Sequence, residues 1–154
     1  MRRPLFLATL CCLLTISFPA VAATGRVIKV LPHFLDLEGR RALSPSLYDR
    51  DAYQAYLRSH PEKRSGISFD IQWKTRGGVY SPLKLRVELL GAAKGELPGH
   101  KVLESELKPG GWFSHWTSLE LTGEDYREFG AVTAWRVTLW EGGELLSEEK
   151  SFLW

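Results

Sequence analysis

The sequence predicts a mainly β protein, an antiparallel sandwich of about seven strands with one N-terminal helix packed on it. Three observations carry this. After Gly66 apolar residues recur at every second position, the period of a half-buried strand. Gly and Pro clusters punctuate these runs at short intervals. Only one connection holds enough helix-favouring sequence for a full helix, whereas parallel strands need a long crossover each time.

Residues 1–22 read as a secretory signal peptide rather than as fold. Arg2 and Arg3 make a positive start, Leu5 to Phe18 an apolar core, and Ala20-Val21-Ala22 a small-residue cleavage site. A retained membrane anchor needs roughly 18 or more apolar residues, longer than this run. Lipidation at Cys11 or Cys12 would leave a very short signal, and Leu10 is a poor residue before a modified cysteine. The expectation is an exported chain, periplasmic or secreted, with no membrane span after cleavage. Cleavage removes both cysteines, so packing alone must hold the fold. It also lowers Lys plus Arg from 20 to 18, against 18 Asp plus Glu. That balance gives no basic surplus for nucleic acid or for an anionic lipid surface.

About 130 residues remain, enough for one domain with a real core. Residues 23–65 supply a strand, a loop and a helix; residues 66–154 supply the β body of the same domain. Arg26–Leu31 alternates as a first strand that Pro32 should end. His33–Ser46 lacks a period and reads as a structured loop. Ser46 with Asp49 fits a capped helix start, and Pro61 a stop. Between them Tyr53, Tyr56 and Leu57 share a face. Asp49 and Asp51 lie near the positive helix end, Arg58 and His60 near the negative one.

In the body, Ile67, Phe69, Ile71 and Trp73 form the clearest strand face. Leu83, Leu85, Val87 and Leu89 form the next. Gly91–Gly99 reads as a loop, and Val102–Leu107 as a short strand with Glu104 and Glu106 outward. Pro109-Gly110-Gly111 turns the chain into a strand over Trp112–Leu121, in which Leu119 and Leu121 inward put Trp112 and Trp116 outward. Thr122 is a candidate cap for one helical turn ending at Gly130. A closing hairpin pairs two strands through Gly142-Gly143, a dipeptide suited to a type I′ turn. A simple turn would set Leu139 opposite Leu146 and Arg136 opposite Glu149. It would also put Glu148 and Lys150 on the apolar face of Trp135 and Val137. Either the last strand carries a bulge or its charges protect a free edge; the edge explanation is the slightly preferred one.

Chemical motifs are few. His33, His60, His100 and His115 lack metal-ligand spacing, so no metal or cofactor is expected. Neither a nucleophile elbow nor a phosphate loop occurs. Asp36, Glu38, Asp49 and Asp51 cluster in sequence and leave a carboxylate-based hydrolase as a distant alternative. Capping and surface ion pairs explain them more simply. The outward tryptophans Trp112, Trp116 and Trp140, with Arg136 beside the last, are the candidate ligand-binding residues, although packing of Trp112 and Trp116 beneath the N-terminal helix or loop is the simpler expectation. Exposed indoles stack on sugar rings or anchor protein partners.

From Ser65 to Trp154, strand number and spacing resemble the immunoglobulin and fibronectin type III sandwiches. Tyr126 does not give a clear tyrosine corner, and the disulfide of antibody domains cannot form. The segments LPHFLDLEGRRALSPSLYDRDAYQAYLR and AWRVTLWEGGELLSEEKSFLW also resemble a set of small exported bacterial proteins with no assigned activity. That resemblance implies no catalytic residues. The expected function is therefore non-catalytic binding of a protein or a cell-envelope component, with a carbohydrate-binding module as the alternative.

Overall fold

The computed structural model describes residues 24–92, 98–108 and 113–154. The proposed signal peptide, Cys11, Cys12, Trp112 and the Pro109-Gly110-Gly111 turn lie outside the described residues. The elements are β1 (Thr24–Asp36), α1 (Leu47–Ser59), a 3-10 turn (Pro61–Lys63), β2 (Arg64–Arg76), β3 (Leu83–Ala92), β4 (Pro98–Leu107), β5 (His115–Thr122), α2 (Gly123–Phe129), β6 (Ala131–Glu141) and β7 (Glu144–Lys150). Every strand pairing is antiparallel. Two sheets result, one ordered β1-β2-β5 and one ordered β4-β3-β6-β7.

The alternation read from the sequence becomes the shared core of this two-layer arrangement. Ile67, Phe69, Ile71 and Trp73 of β2, with Leu119 and Leu121 of β5, face Leu83, Leu85, Val87 and Leu89 of β3 and Val137 and Leu139 of β6. All twelve are at most 5% exposed. Trp135 covers one flank, its ring edge-on to Phe69 at 6.3 Å. The indole N–H of buried Trp73 donates to Thr117 Oγ1 at 2.9 Å, so this polar group is satisfied in the core.

The helix α1 occupies Leu47–Ser59, in the connection between β1 and β2. Other elements differ from the sequence reading. The first strand does not stop at Pro32 but runs to Asp36, with Pro32 opposite Phe69. An edge strand tolerates proline on the side where no ladder bond is needed. β4 starts at Pro98, earlier than Val102. Thr122 stands at the start of α2 without making a side-chain cap bond.

The closing hairpin resolves its own conflict by a bulge. A register shift between Leu139 and Trp140 sets Leu139 opposite Ser147 and Arg136 opposite Lys150, rather than Leu146 and Glu149. One extra residue reverses the faces that follow. Glu148 and Lys150 therefore join Thr138 and Arg136 on the outer face. β7 is also an edge strand, so the two explanations hold together. In the turn only Gly142 takes positive φ, +56°, which matches type II′ rather than type I′.

The free edge of β1 is covered by side chains from elsewhere. The Val27 N–H donates to Ser147 Oγ at 3.0 Å, tying β1 to β7. Gly25 lets the strands meet there; a Cβ at this position would stand 2.7 Å from Leu146 Cδ1 and 2.9 Å from Leu139 Cδ2. Further along, the Phe34 N–H donates to Gln54 Oε1 at 2.8 Å, and Gln54 Nε2 donates to the Phe34 carbonyl at 3.0 Å. Pro32, two residues from Phe34, lacks an N–H on that same side. An otherwise adhesive edge is thus closed.

Candidate functional site

The β1–β2 connection folds onto the outer face of the β1-β2-β5 sheet, and this builds the site. Leu57 is fully buried, and Leu35 of β1 is 4% exposed on the face that the connection covers. Gln54 also donates to the Arg41 carbonyl at 2.8 Å, so α1 holds the preceding segment as well. The expected apolar stripe is only partly used. Tyr53 turns inward with Leu57, whereas Tyr56 is 42% exposed and stacks on His60 at 4.2 Å. The anchoring of Gln54 to the strand edge sets this rotation.

Asp36 ties the connection to the end of β1. Its carboxylate accepts from the Glu38 and Arg40 N–H groups at 2.9 and 2.8 Å, from Arg40 Nε at 2.9 Å and from the Tyr53 hydroxyl at 2.7 Å. Burial opposes its ionisation, but these hydrogen bonds outweigh burial and hold its pKa at about 2. Such a group stays ionised and cannot act as a general acid near neutral pH. Glu38 pairs with Arg40, while Asp49 and Asp51 are exposed on α1. Ser46 caps that helix, accepting from the Asp49 N–H at 3.4 Å. Among the described residues no three His, Cys, Asp or Glu side chains gather as metal ligands.

On the covered face, Asp70 is the central polar group. It is 9% exposed. Ser118 Oγ donates to its Oδ1 at 2.6 Å, and Arg41 Nη1 donates to Oδ2. His33 Nδ1 lies 3.4 Å from the same Oδ2. Burial lowers the pKa of His33; Asp70 opposes this, and the nearby Arg41 and Arg50 reinforce it. The imidazole therefore remains neutral at neutral pH. Ser68, on the same face of β2, is fully buried, and its hydroxyl has no partner among the described residues.

Two adjoining clefts open along this face. One, of about 560 Å³, is lined by Lys29, Leu31, Arg41, Ala42, Ser44, Pro45, Leu47, Arg50, Asp70, Trp116 and Ser118. The other, of about 450 Å³, shares Arg41, Ala42 and Ser118 and continues past Arg40 to Glu120. Volumes of this order suit small ligands. The larger cleft combines an apolar floor and rim with three cations. Arg41 is committed to Asp70. Lys29 and Arg50 form no ion pair among the described residues. Trp116, 52% exposed, stands at the side.

Of the candidate ligand-binding residues among the described ones, only Trp116 lies here. Trp140 and Arg136 are on the outer face of the other sheet, already engaged. Trp140 Nε1 donates to Thr138 Oγ1 at 2.8 Å, and Arg86 stands 5.8 Å from its ring centroid. Arg136 pairs with Glu88, lies 3.7 Å from Glu148 and stacks over Trp154 at 4.8 Å. Sequence reasoning missed Lys29, Arg41 and Arg50, because single cations on an edge strand, in a loop and in the first turn of a helix carry no periodic signal. The aperiodic stretch holding Phe34, Leu35 and Leu37 was the available hint that this connection must cover something. Among the described residues no helix is long and apolar enough to cross a membrane. No protein-family model, curated protein or solved structure matches the chain.

Proposed function

We propose that this protein is an exported, non-catalytic β-sandwich domain that binds a protein or cell-envelope component through the cleft on its three-stranded sheet. The observation that carries the reading is the cleft itself: two cations without ion pairs among the described residues, Lys29 and Arg50, and a half-exposed indole, Trp116, around a pocket of ligand size. Export is supported by Arg2, Arg3, the Leu5–Phe18 run and the Ala20–Ala22 site. The immunoglobulin-like reading is supported by strand order. A four-strand sheet running β4-β3-β6-β7 corresponds to C′-C-F-G, and β1-β2-β5 to A-B-E. On that correspondence the helical connection is an insertion between strands A and B.

Mapping the contact surface in place tests the function. A photo-crosslinking amino acid at position 116 should form adducts in the native envelope, and the same group at position 140 should not. Equal labelling from both positions, or none from 116, would remove the cleft as the binding surface. The mass of the exported protein tests the rest: it should begin at Ala23. The alternative of a carbohydrate-binding module keeps one specific support, the exposure of Trp116. Trp140 contributes less, since it serves a different face.

A further inference from the structure

We infer that the cleft on the three-stranded sheet takes an anionic sugar: a pyranose ring carrying a carboxylate or phosphate, stacked on Trp116 with its charge against Lys29 and Arg50. The inference rests on the reading of this cleft as the binding site and adds the class of ligand. It follows from which polar groups remain available. A neutral sugar is held by several side chains that hydrogen-bond its hydroxyls. Here few such side chains are present, and each already has a partner: Ser118 donates to Asp70, Ser44 accepts from the Ser46 N–H at 3.2 Å, and Asp70 also takes Arg41. What a ligand meets instead is positive charge. Lys29 and Arg50 are uncompensated among the described residues, and the single carboxylate in the lining is already neutralised by Arg41.

The apolar part of the lining narrows the class further. An inorganic anion would gain nothing from Leu31, Leu47 or the Trp116 indole. A ring with an apolar face gains both stacking and charge neutralisation. An acidic peptide offers charge and apolar side chains but no pyranose C–H face to stack on the indole. It is therefore the competing outcome that the test must separate.

Isothermal titration of the mature chain with matched probes decides the matter. Oligogalacturonate and a phosphorylated oligomannose supply the two anionic sugars, and the one that binds identifies the source of charge. Fully methyl-esterified oligogalacturonate keeps the ring and removes the charge, while polyglutamate keeps charge and removes the ring. At least one anionic sugar should bind, with affinity falling as salt rises. Combined Lys29→Gln and Arg50→Gln should weaken it at least tenfold, Trp116→Ala likewise, and Trp140→Ala not at all. Failure of both anionic sugars overturns the inference, as does equal binding of the methyl ester or of polyglutamate. If adducts still form at position 116 while every anionic sugar fails, the binding surface stands and the sugar assignment falls. If neither occurs, both fall.

Discussion

The two outer sheet faces use the same residue types to opposite ends. On the β4-β3-β6-β7 sheet, Trp140, Arg86, Glu104, Lys84, Glu88, Arg136, Glu148 and Trp154 form a lattice in which charge meets charge across strands. Arg86 Nε lies 2.7 Å and Lys84 Nζ 3.2 Å from Glu104, and Arg136 pairs with Glu88. The Arg86 and Lys84 hydrogen bonds hold the Glu104 carboxyl below its ordinary range. On the β1-β2-β5 sheet, Trp116 stands beside Lys29 and Arg50, which have no such partners among the described residues. A tryptophan beside an arginine is therefore not a binding motif in itself. Whether the cation has been neutralised across the strand decides if the pair braces the sheet or is left available.

The contrast depends on the β1–β2 connection, and detaching it should produce the largest change. Leu57→Ala removes its one fully buried leucine. A loss of about 2 to 5 kcal/mol is expected in urea unfolding. The far sheet should keep its arrangement, so tryptophan signals from Trp140 and Trp154 should persist in native conditions. If the connection instead unfolds alone, with global stability intact, it is a separable flap rather than part of the domain.

Asp36→Asn is next, at about 2 kcal/mol near neutral pH. The sign is set by a folded pKa of about 2 against an ordinary value of 3.8. A depressed carboxylate contributes fully above the higher value and loses its contribution as pH falls through the lower one. Wild-type stability should therefore drop between about pH 4 and pH 2, and the Asn variant should lack that component. Identical acid profiles for the two proteins would contradict the hydrogen-bonded role of Asp36.

A smaller effect separates the two tryptophans. Trp140→Ala should lower stability by about 1 kcal/mol through lost packing and cation–π contact and leave ligand binding intact. Trp116→Ala should do the reverse. Chemical denaturation and titration of both variants, side by side, check this; matching behaviour would erase the distinction between the faces. Smallest of all, Lys29→Ala and Arg50→Ala should each stay within about 0.5 kcal/mol of wild type in stability. A larger loss in either would reveal a structural partner for that cation.

Much of the fold was legible because it depends on local period. Phe69, Leu85, Val137 and their alternating neighbours declare two-faced strands without knowledge of their partners. Ser46 and Pro61 mark the helix by groups within a few residues of each end. The β4 start was missed because Pro98, Gly99 and His100 resemble a loop when their partner strand is unseen. The bulge in β7 was signalled by misplaced charges, though its register required knowing that Ser147 bonds to β1.

The alternation, the class, the helix and the candidate indoles can be read from residue order, since each follows from spacing along one stretch of chain. Which indole faces a cleft, which cations lie beside it and which carboxylates are already spoken for emerge on folding. Lys29, Arg41, Arg50, Asp70 and Trp116 come from four separate segments, brought together by a connection anchored through Gln54 and Leu57. Charge compensation depends on distance in space, and no periodic pattern along the chain encodes that distance.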